Sequence, residues 1–291
     1  MDSRTETTIA GVTWKNPVTT ASGTFGSGRE YGELIDLNRL GAITVKGVSE
    51  EAWKGNPVPR LAETQSGLLN SIGLQNAGAE LFIENDIPFL RQYDTKIIVN
   101  ICGHTLSQYC AVAERFADCD IDMLELNISC PNVEEGGLSF GTDPHVVERV
   151  VKAVRNYVKQ PLIVKLSPEV TDITEIARAA VSGGADALSL INTLRGMKID
   201  IHKRKPILAN KIGGYSGPGI MPVALRMAYE VCHSVDVPVI GMGGISTFED
   251  ALQFIMAGAE AVAVGTANFH NPYATVEIID GIRQYMKENK I

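Results

Sequence analysis

A chain of 291 residues, 45% hydrophobic and 21% charged, has the composition of a folded globular protein with enough apolar material for a large core. Its formal charge of -8 argues against nucleic acid as a partner, because a phosphate backbone demands a clustered excess of Lys and Arg; the one basic run, His202-Lys203-Arg204-Lys205, is too short to supply it. No apolar run approaches the ~20 residues that cross a bilayer, and the polar, mixed-charge start is unlike a signal peptide, so the expectation is a cytoplasmic protein without membrane contact.

In chain order, short β-branched runs alternate with amphipathic stretches. The strands read from the sequence are 18–22, 42–47, 97–101, 123–128, 162–166, 187–192, 237–242 and 261–265. Helices are expected over 77–93, 106–117, 144–158, 173–182, 221–234, 248–257 and 274–287, with a weaker one at 31–37. In the 173–182 helix, Ile173, Ile176, Ala177 and Ala180 recur at helical spacing while Glu175 and Arg178 face away. The strands are almost continuously apolar, as when both faces of a parallel sheet are covered. Eight strand–helix alternations without a composition break predict an α/β fold, a single (β/α)8 TIM barrel forming one catalytic domain over residues 1–291; an open doubly wound sheet is the competing architecture. Long loops follow strand two (49–76), strand four (133–143) and strand six (194–219), and such insertions are expected to be lids or partner surfaces.

The residues at the strand ends carry the chemistry, because a barrel of this kind builds its site at the C-terminal rim. Strand one leads into Ser22, strand two ends at Lys46-Gly47, strand three at Asn100, strand four at Asn127, strand five at Lys165 and strand six at Asn192-Thr193. Strands seven and eight run into Gly243-Gly244 and Gly265-Thr266, glycine turns whose backbone N–H groups suit a phosphate, with Gly217 able to approach from the sixth loop. The lysine heads can hold a carboxylate, a phosphate or a developing anion. Asn70, Asn127 and Asn192 offer donors and acceptors that match a planar imide ring. Cys130 follows strand four and precedes Pro131; a thiol can remove a proton or attack as a nucleophile. The five cysteines show no C-x-x-C spacing, so no metal is expected, and in a reducing compartment they are free thiols.

The run Glu125-Leu126-Asn127-Ile128-Ser129-Cys130-Pro131-Asn132 resembles the signature of class 1 dihydroorotate dehydrogenases, which are FMN-binding (β/α)8 barrels, and so does Asn70-Ser71-Ile72-Gly73-Leu74-Gln75-Asn76. The Gly136-Gly137 loop ending at Phe140-Gly141-Thr142-Asp143 resembles the class 1B catalytic subunit more than the fumarate-using class 1A enzyme. The resemblance spans nearly the whole chain. It implies one FMN per chain and oxidation of (S)-dihydroorotate to orotate in pyrimidine (UMP) biosynthesis. Cys130 would take the C5 proton while a hydride passes from C6 to N5 of FMN. Lys165 would stabilise the anionic reduced flavin, and Lys46 would touch flavin and substrate. Asn70, Asn127, Asn192 and Thr193 would hold the substrate, helped by backbone from Ser71, Ile72, Gly73 and Leu74. Ser22, Gly47, Asn100, Asn127 and Ile191 would line the flavin, with Gly217, Gly243, Gly244, Gly265 and Thr266 around its phosphate. Class 1B membership further implies a catalytic homodimer within a heterotetramer. Its partner subunit would carry FAD and a [2Fe–2S] cluster and pass electrons to NAD. The absence of cluster-ligand spacing and of a G-x-G-x-x-G turn after strand one fits dependence on such a partner.

Other readings stay open at this point. One is the fumarate-dependent class 1A enzyme. Another is a different FMN barrel acting on a reduced pyrimidine, such as dihydropyrimidine dehydrogenase or a tRNA dihydrouridine synthase. A flavin-free lyase or isomerase and a non-catalytic barrel are the more distant rivals.

Overall fold

The structure is a computed structural model that describes residues 5–129 and 140–290. Eight parallel strands make one sheet: β1 (Val18–Thr20), β2 (Ala42–Thr44), β3 (Lys96–Ile101), β4 (Met123–Asn127), β5 (Leu162–Lys165), β6 (Ala187–Leu190), β7 (Val239–Met242) and β8 (Ala261–Val264). Neighbours in the sheet are neighbours in sequence from β2 to β8, and β8 then pairs with β1. The sheet therefore curls into a (β/α)8 TIM barrel, and the open doubly wound alternative is excluded. The strands coincide with the apolar runs seen in the sequence. Several ladders stop before the polar residues at their ends, where the chain bends out over the mouth.

The closing seam between β1 and β2 uses side chains. Gly41 N–H donates to the Val18 carbonyl at 3.1 Å. Above it, the Thr20 hydroxyl accepts from Thr44 N–H and donates to the Thr44 carbonyl, both at 3.1 Å. Thr19 and Thr44 share a further hydroxyl contact of 3.1 Å. Three buried threonines thus do here what a backbone ladder does elsewhere.

Inside the barrel the side chains change character along the axis. The lower layers are apolar: Ala42, Ile98, Met123, Ile163, Ala187, Ile240 and Ala261 pack on Ile9 and Trp14. Those last two come from an N-terminal hairpin, Thr7–Ile9 paired with Val12–Trp14, which plugs the bottom and turns at Ala10-Gly11 with both φ positive. The upper layer holds Asn100, Glu125, Asn127, Lys165 and Ser189, all buried. A second core lies between strands and helices, and the Ile173–Ser182 helix buries the four residues expected from its spacing.

The bottom face is held by a repeated device. The residue just before an even-numbered strand caps an N–H at the start of the strand before it: Asp122 accepts from Ile97 at 2.9 Å, Asp186 from Leu162 at 2.8 Å and Glu260 from Val239 at 2.7 Å. Helix starts are capped with similar economy by Thr105, Asp143, Asp172 and Thr247.

Two helices differ from expectation. The 77–93 helix is broken into Ala79–Leu81, a π-turn at Phe82–Asp86 and Ile87–Leu90. Pro88 has no N–H to give to Glu84 and crowds its carbonyl, so the spiral widens and restarts with the proline in a first turn. The 31–37 helix is only Arg29–Gly32 followed by a 3-10 turn at Leu37–Arg39. The long insertions after β2 and β6 combine into one antiparallel sheet over the mouth, in the order Leu194–Met197, Ile212–Ser216, Gly67–Asn70, Leu61–Thr64.

Candidate active site

A cavity of about 1110 Å3 opens at the C-terminal strand ends beneath this mouth sheet. The strand ends line it with Ser22, Lys46, Gly47, Asn100, Asn127, Lys165, Ile191, Asn192, Thr193, Gly243, Gly244, Gly265 and Thr266. The insertions add Asn70, Ser71, Ile72, Gly73, Leu74 and Gly217. Every residue nominated from the sequence that lies in the described part is therefore in one place. Cys130 lies outside the described residues; Ser129 and Thr142, on the two flanks of that stretch, both line the cavity.

Alternation along the strands explains why polar groups gather here. On β4, Met123, Glu125 and Asn127 share the inner face, and on β5 Ile163 and Lys165 do. Lys165 is 4% exposed, and its Nζ donates to Ser22 Oγ at 3.1 Å across the barrel. Asn127 Oδ1 accepts from Asn192 Nδ2 at 3.2 Å and from Ser129 N–H at 3.3 Å. Asn192 Oδ1 in turn accepts from Thr193 N–H at 2.8 Å. The Tyr109 hydroxyl donates to the Asn127 carbonyl from the helix behind. These contacts fix the two amides and leave the remaining Asn127 and Asn192 valences for a ligand. Lys46 stands opposite, at the end of β2. Burial, and secondly the charge of Arg60, pull its pKa below that of an ordinary lysine. An anion bound beside it relieves both effects.

The glycine turns have different jobs. Gly243 and Gly244 sit at φ +128° and +82°, and a Cβ there would meet the Ala224 and Met221 Cβ atoms at 2.6 Å. Their bareness lets the start of the Met221–Cys232 helix, preceded by the 3-10 turn Pro218–Ile220, come hard against the end of β7. Thr266 donates to Ser216 Oγ at 2.8 Å, joining the end of β8 to the mouth sheet. The result is a helix start and glycine turns facing one end of the cavity, an arrangement suited to a phosphate.

At the other end, the Ser71–Leu74 backbone is held as a rigid rim. Asn56 Nδ2 donates to the Ser71 carbonyl and hydroxyl, both at 3.1 Å. Gly73 and Leu74 take φ of +73° and +51°. Asn76 Oδ1 accepts from Gly78 N–H at 2.9 Å and Ser49 N–H at 3.2 Å, closing the insertion back on β2. Asn70 ends the mouth strand beside it and donates to the Gly214 carbonyl at 3.3 Å.

Several participants escaped sequence reasoning. Glu125, 2% exposed, accepts from Asn100 Nδ2 and from Ser189 Oγ, both at 2.6 Å, beneath the cavity. The signal was available, since a carboxylate two residues before Asn127 falls on the same inward face of an apolar strand. His104 lines the cavity and stacks on Trp53, ring centroids 4.2 Å apart; only proximity in space links them. The other cysteines offer no rival base. Among the described residues no cysteine lines the cavity. Burial raises the thiol pKa of Cys110 and Cys119, and that of Cys232 to about 12. No cluster of three or more metal-ligating side chains occurs among the described residues.

Comparison with known proteins agrees with this geometry. A family model described as dihydroorotate dehydrogenase matches residues 4–286. A protein of Alkaliphilus metalliredigens named dihydroorotate dehydrogenase B (NAD(+)), catalytic subunit, is 69% identical over 283 residues, 97% of this chain and 94% of the relative. Proteins of the same name from Alkaliphilus oremlandii and Lachnoclostridium phytofermentans are 67% and 63% identical, covering 97% and 99% of this chain and 94% and 96% of the relatives. The chain belongs to the dihydroorotate dehydrogenase family.

Proposed function

We propose that this chain is the catalytic subunit of an NAD-linked, class 1B dihydroorotate dehydrogenase, an oxidoreductase that converts (S)-dihydroorotate to orotate for pyrimidine biosynthesis in the cytoplasm. The observation that carries the reading is the convergence of all the described nominated residues on one cavity. Its volume of about 1110 Å3 exceeds the roughly 300–1,000 Å3 of an ordinary small-molecule pocket, leaving room for a tricyclic cofactor and a small planar substrate together.

The residues present fit FMN. Asn100 Oδ1 is buried without a partner among the described residues, an unmet acceptor at a site that expects a donor. Lys165 offers a buried cation, and Gly217, Gly243, Gly244, Gly265 and Thr266 offer a phosphate end. Ser22, Lys46, Gly47, Asn100, Asn127, Lys165 and Ile191 would line the ring system. When bound, FMN supplies the two-electron acceptor for the substrate C–H bond.

The chain's own part is positioning and proton removal. Asn70, Asn127, Asn192 and Thr193 hold the pyrimidine ring, and the backbone of Ser71, Ile72, Gly73 and Leu74 closes around its carboxylate. Lys46 balances that negative charge. Cys130 is the base for the C5 proton; its bonded neighbour Ser129 on the cavity wall supports the assignment. Lys165 favours negative charge as it develops next to it. A homodimer of this chain would pass the electrons to a partner subunit with FAD and a [2Fe–2S] cluster.

Anaerobic mixing of the yellow, FMN-loaded protein with dihydroorotate tests the reading. Rapid bleaching is expected, and Cys130→Ala should slow it by roughly a hundred- to ten-thousandfold while FMN stays bound. A protein that stays yellow with dihydroorotate overturns the assignment, and undiminished bleaching in the variant removes Cys130 from it.

A further inference from the structure

Glu125 is a carboxylate at the floor of the cavity that the reaction itself does not use. It lies on the inner face of β4, 2% exposed, with one oxygen accepting from Ser189 Oγ and the other from Asn100 Nδ2, both at 2.6 Å. Asn100 is fully buried. Its Oδ1 has no partner among the described residues, and it faces Gly47, where even an added Cβ would come within 2.9 Å. Gly47 and Asn100 both belong to the cavity wall.

A carboxamide has a donor end and an acceptor end, and either can point into a site. A carboxylate has only acceptor positions, so it takes the nitrogen of Asn100 and leaves the oxygen unpaired against Gly47 in the cavity wall. Ser189 holds the other carboxylate oxygen and keeps Glu125 from turning away. A buried, unpaired acceptor is costly, and it is relieved by a ligand with an N–H at that place. The ring of oxidised FMN carries a single N–H, at position 3.

We propose that Glu125 is a positioning residue that sets the donor–acceptor polarity of the cavity floor, locking Asn100 so that its oxygen accepts the ring N–H of FMN. The proposal rests on the FMN reading above and adds to it a specificity determinant. It assigns Glu125 no step in the redox chemistry.

The test is binding of two flavins to the apoprotein, followed by fluorescence. One is FMN; the other is 3-deaza-FMN, in which carbon replaces that nitrogen and the N–H donor is lost. The wild-type protein should prefer FMN by about 10- to 100-fold. In Glu125→Gln the new amide can donate to Asn100, the carboxamide is free to reverse, and the preference should fall to within about threefold. Glu125→Met, which removes the acceptor without adding a donor, should give the same collapse and serves if the glutamine variant does not fold. A wild-type protein that binds both flavins equally overturns the proposal while leaving FMN binding intact. A folded Glu125 variant with the full wild-type preference does so too. A wild-type apoprotein that binds neither flavin overturns the FMN reading and this inference with it.

Discussion

Thr20→Val isolates the seam on which the barrel closes. The replacement keeps the shape of a fully buried side chain and removes one hydroxyl. That hydroxyl serves both the N–H and the carbonyl of Thr44, each at 3.1 Å. Thr44 has no backbone ladder on this side, because Val45 is the residue that donates across to Ile98 on β3. The valine therefore leaves two buried main-chain groups facing methyl carbons. Each such group costs about 1–3 kcal/mol, so the loss should be roughly 2–6 kcal/mol. Thr20→Ser, which restores the hydroxyl, should lose no more than about 1 kcal/mol for its missing methyl. The double replacement of Thr19 and Thr44 by Val removes both partners of their 3.1 Å contact, and should cost less than Thr20→Val alone. Urea unfolding followed by circular dichroism reads these differences as shifts in midpoint at constant slope. A Thr20→Val protein within about 0.5 kcal/mol of wild type would show that the threonines decorate the seam without holding it.

Other consequences follow from the site and from the opposite face. Lys46→Met should weaken orotate binding by about 2 kcal/mol, roughly thirtyfold in Kd by calorimetry, while raising the Tm of the ligand-free protein because a half-buried cation is gone. The pKa of Lys46 is lowered in the folded state, so the unfolded chain holds more protons as pH rises through that lowered value. Its contribution to ligand-free stability should therefore increase with pH in that window, up to the ordinary lysine range, while orotate affinity falls as the charge is lost. Gly244→Ala places a Cβ 2.9 Å from backbone atoms of Met221 at φ +82°; it should lower stability by roughly 1–3 kcal/mol and weaken FMN more than it weakens free riboflavin, which lacks the phosphate. Asp186→Ala deprives Leu162 N–H of its 2.8 Å partner on the bottom face; it should cost about 1–3 kcal/mol in denaturant and leave FMN affinity unchanged.

The barrel strands were legible because a strand buried on both faces must be apolar throughout, and its polar end then stands out against it. Lys46, Asn127 and Lys165 are visible for that reason alone. The mouth sheet was not legible, because its pairing joins Leu69 to Tyr215 across half the chain, and neither segment has a long apolar face of its own. The hairpin that plugs the bottom has strands of three residues, too short for periodicity to register. Only the scattered apolar residues Ile9, Val12 and Trp14 hint at it. The 77–93 helix shows the opposite failure: its pattern is helical, but Pro88 alters the backbone without altering the pattern. Glu125 was passed over because motif reading follows sequence adjacency, whereas its relation to Asn100 and Ser189 arises from three different strands.

The division of the barrel axis explains how charged groups persist at its upper end. Burying Lys165 and Glu125 is unfavourable unless their polar atoms are matched. Lys165 finds Ser22, and Glu125 finds Asn100 and Ser189. Those partners come from β1, β3 and β6 or their ends, so the matching works only if the strands keep their register. Register is enforced from below, where the apolar layers pack on Ile9 and Trp14 and the capping acids Asp122, Asp186 and Glu260 fix the strand starts. A bottom-face substitution that left the fold intact but let a strand slip would thus disturb ligand binding through the buried polar layer before any wall residue had changed. The silence expected of Asp186→Ala in FMN binding holds because β5 keeps its register through Ile163 in the apolar layer and its ladders to β4 and β6.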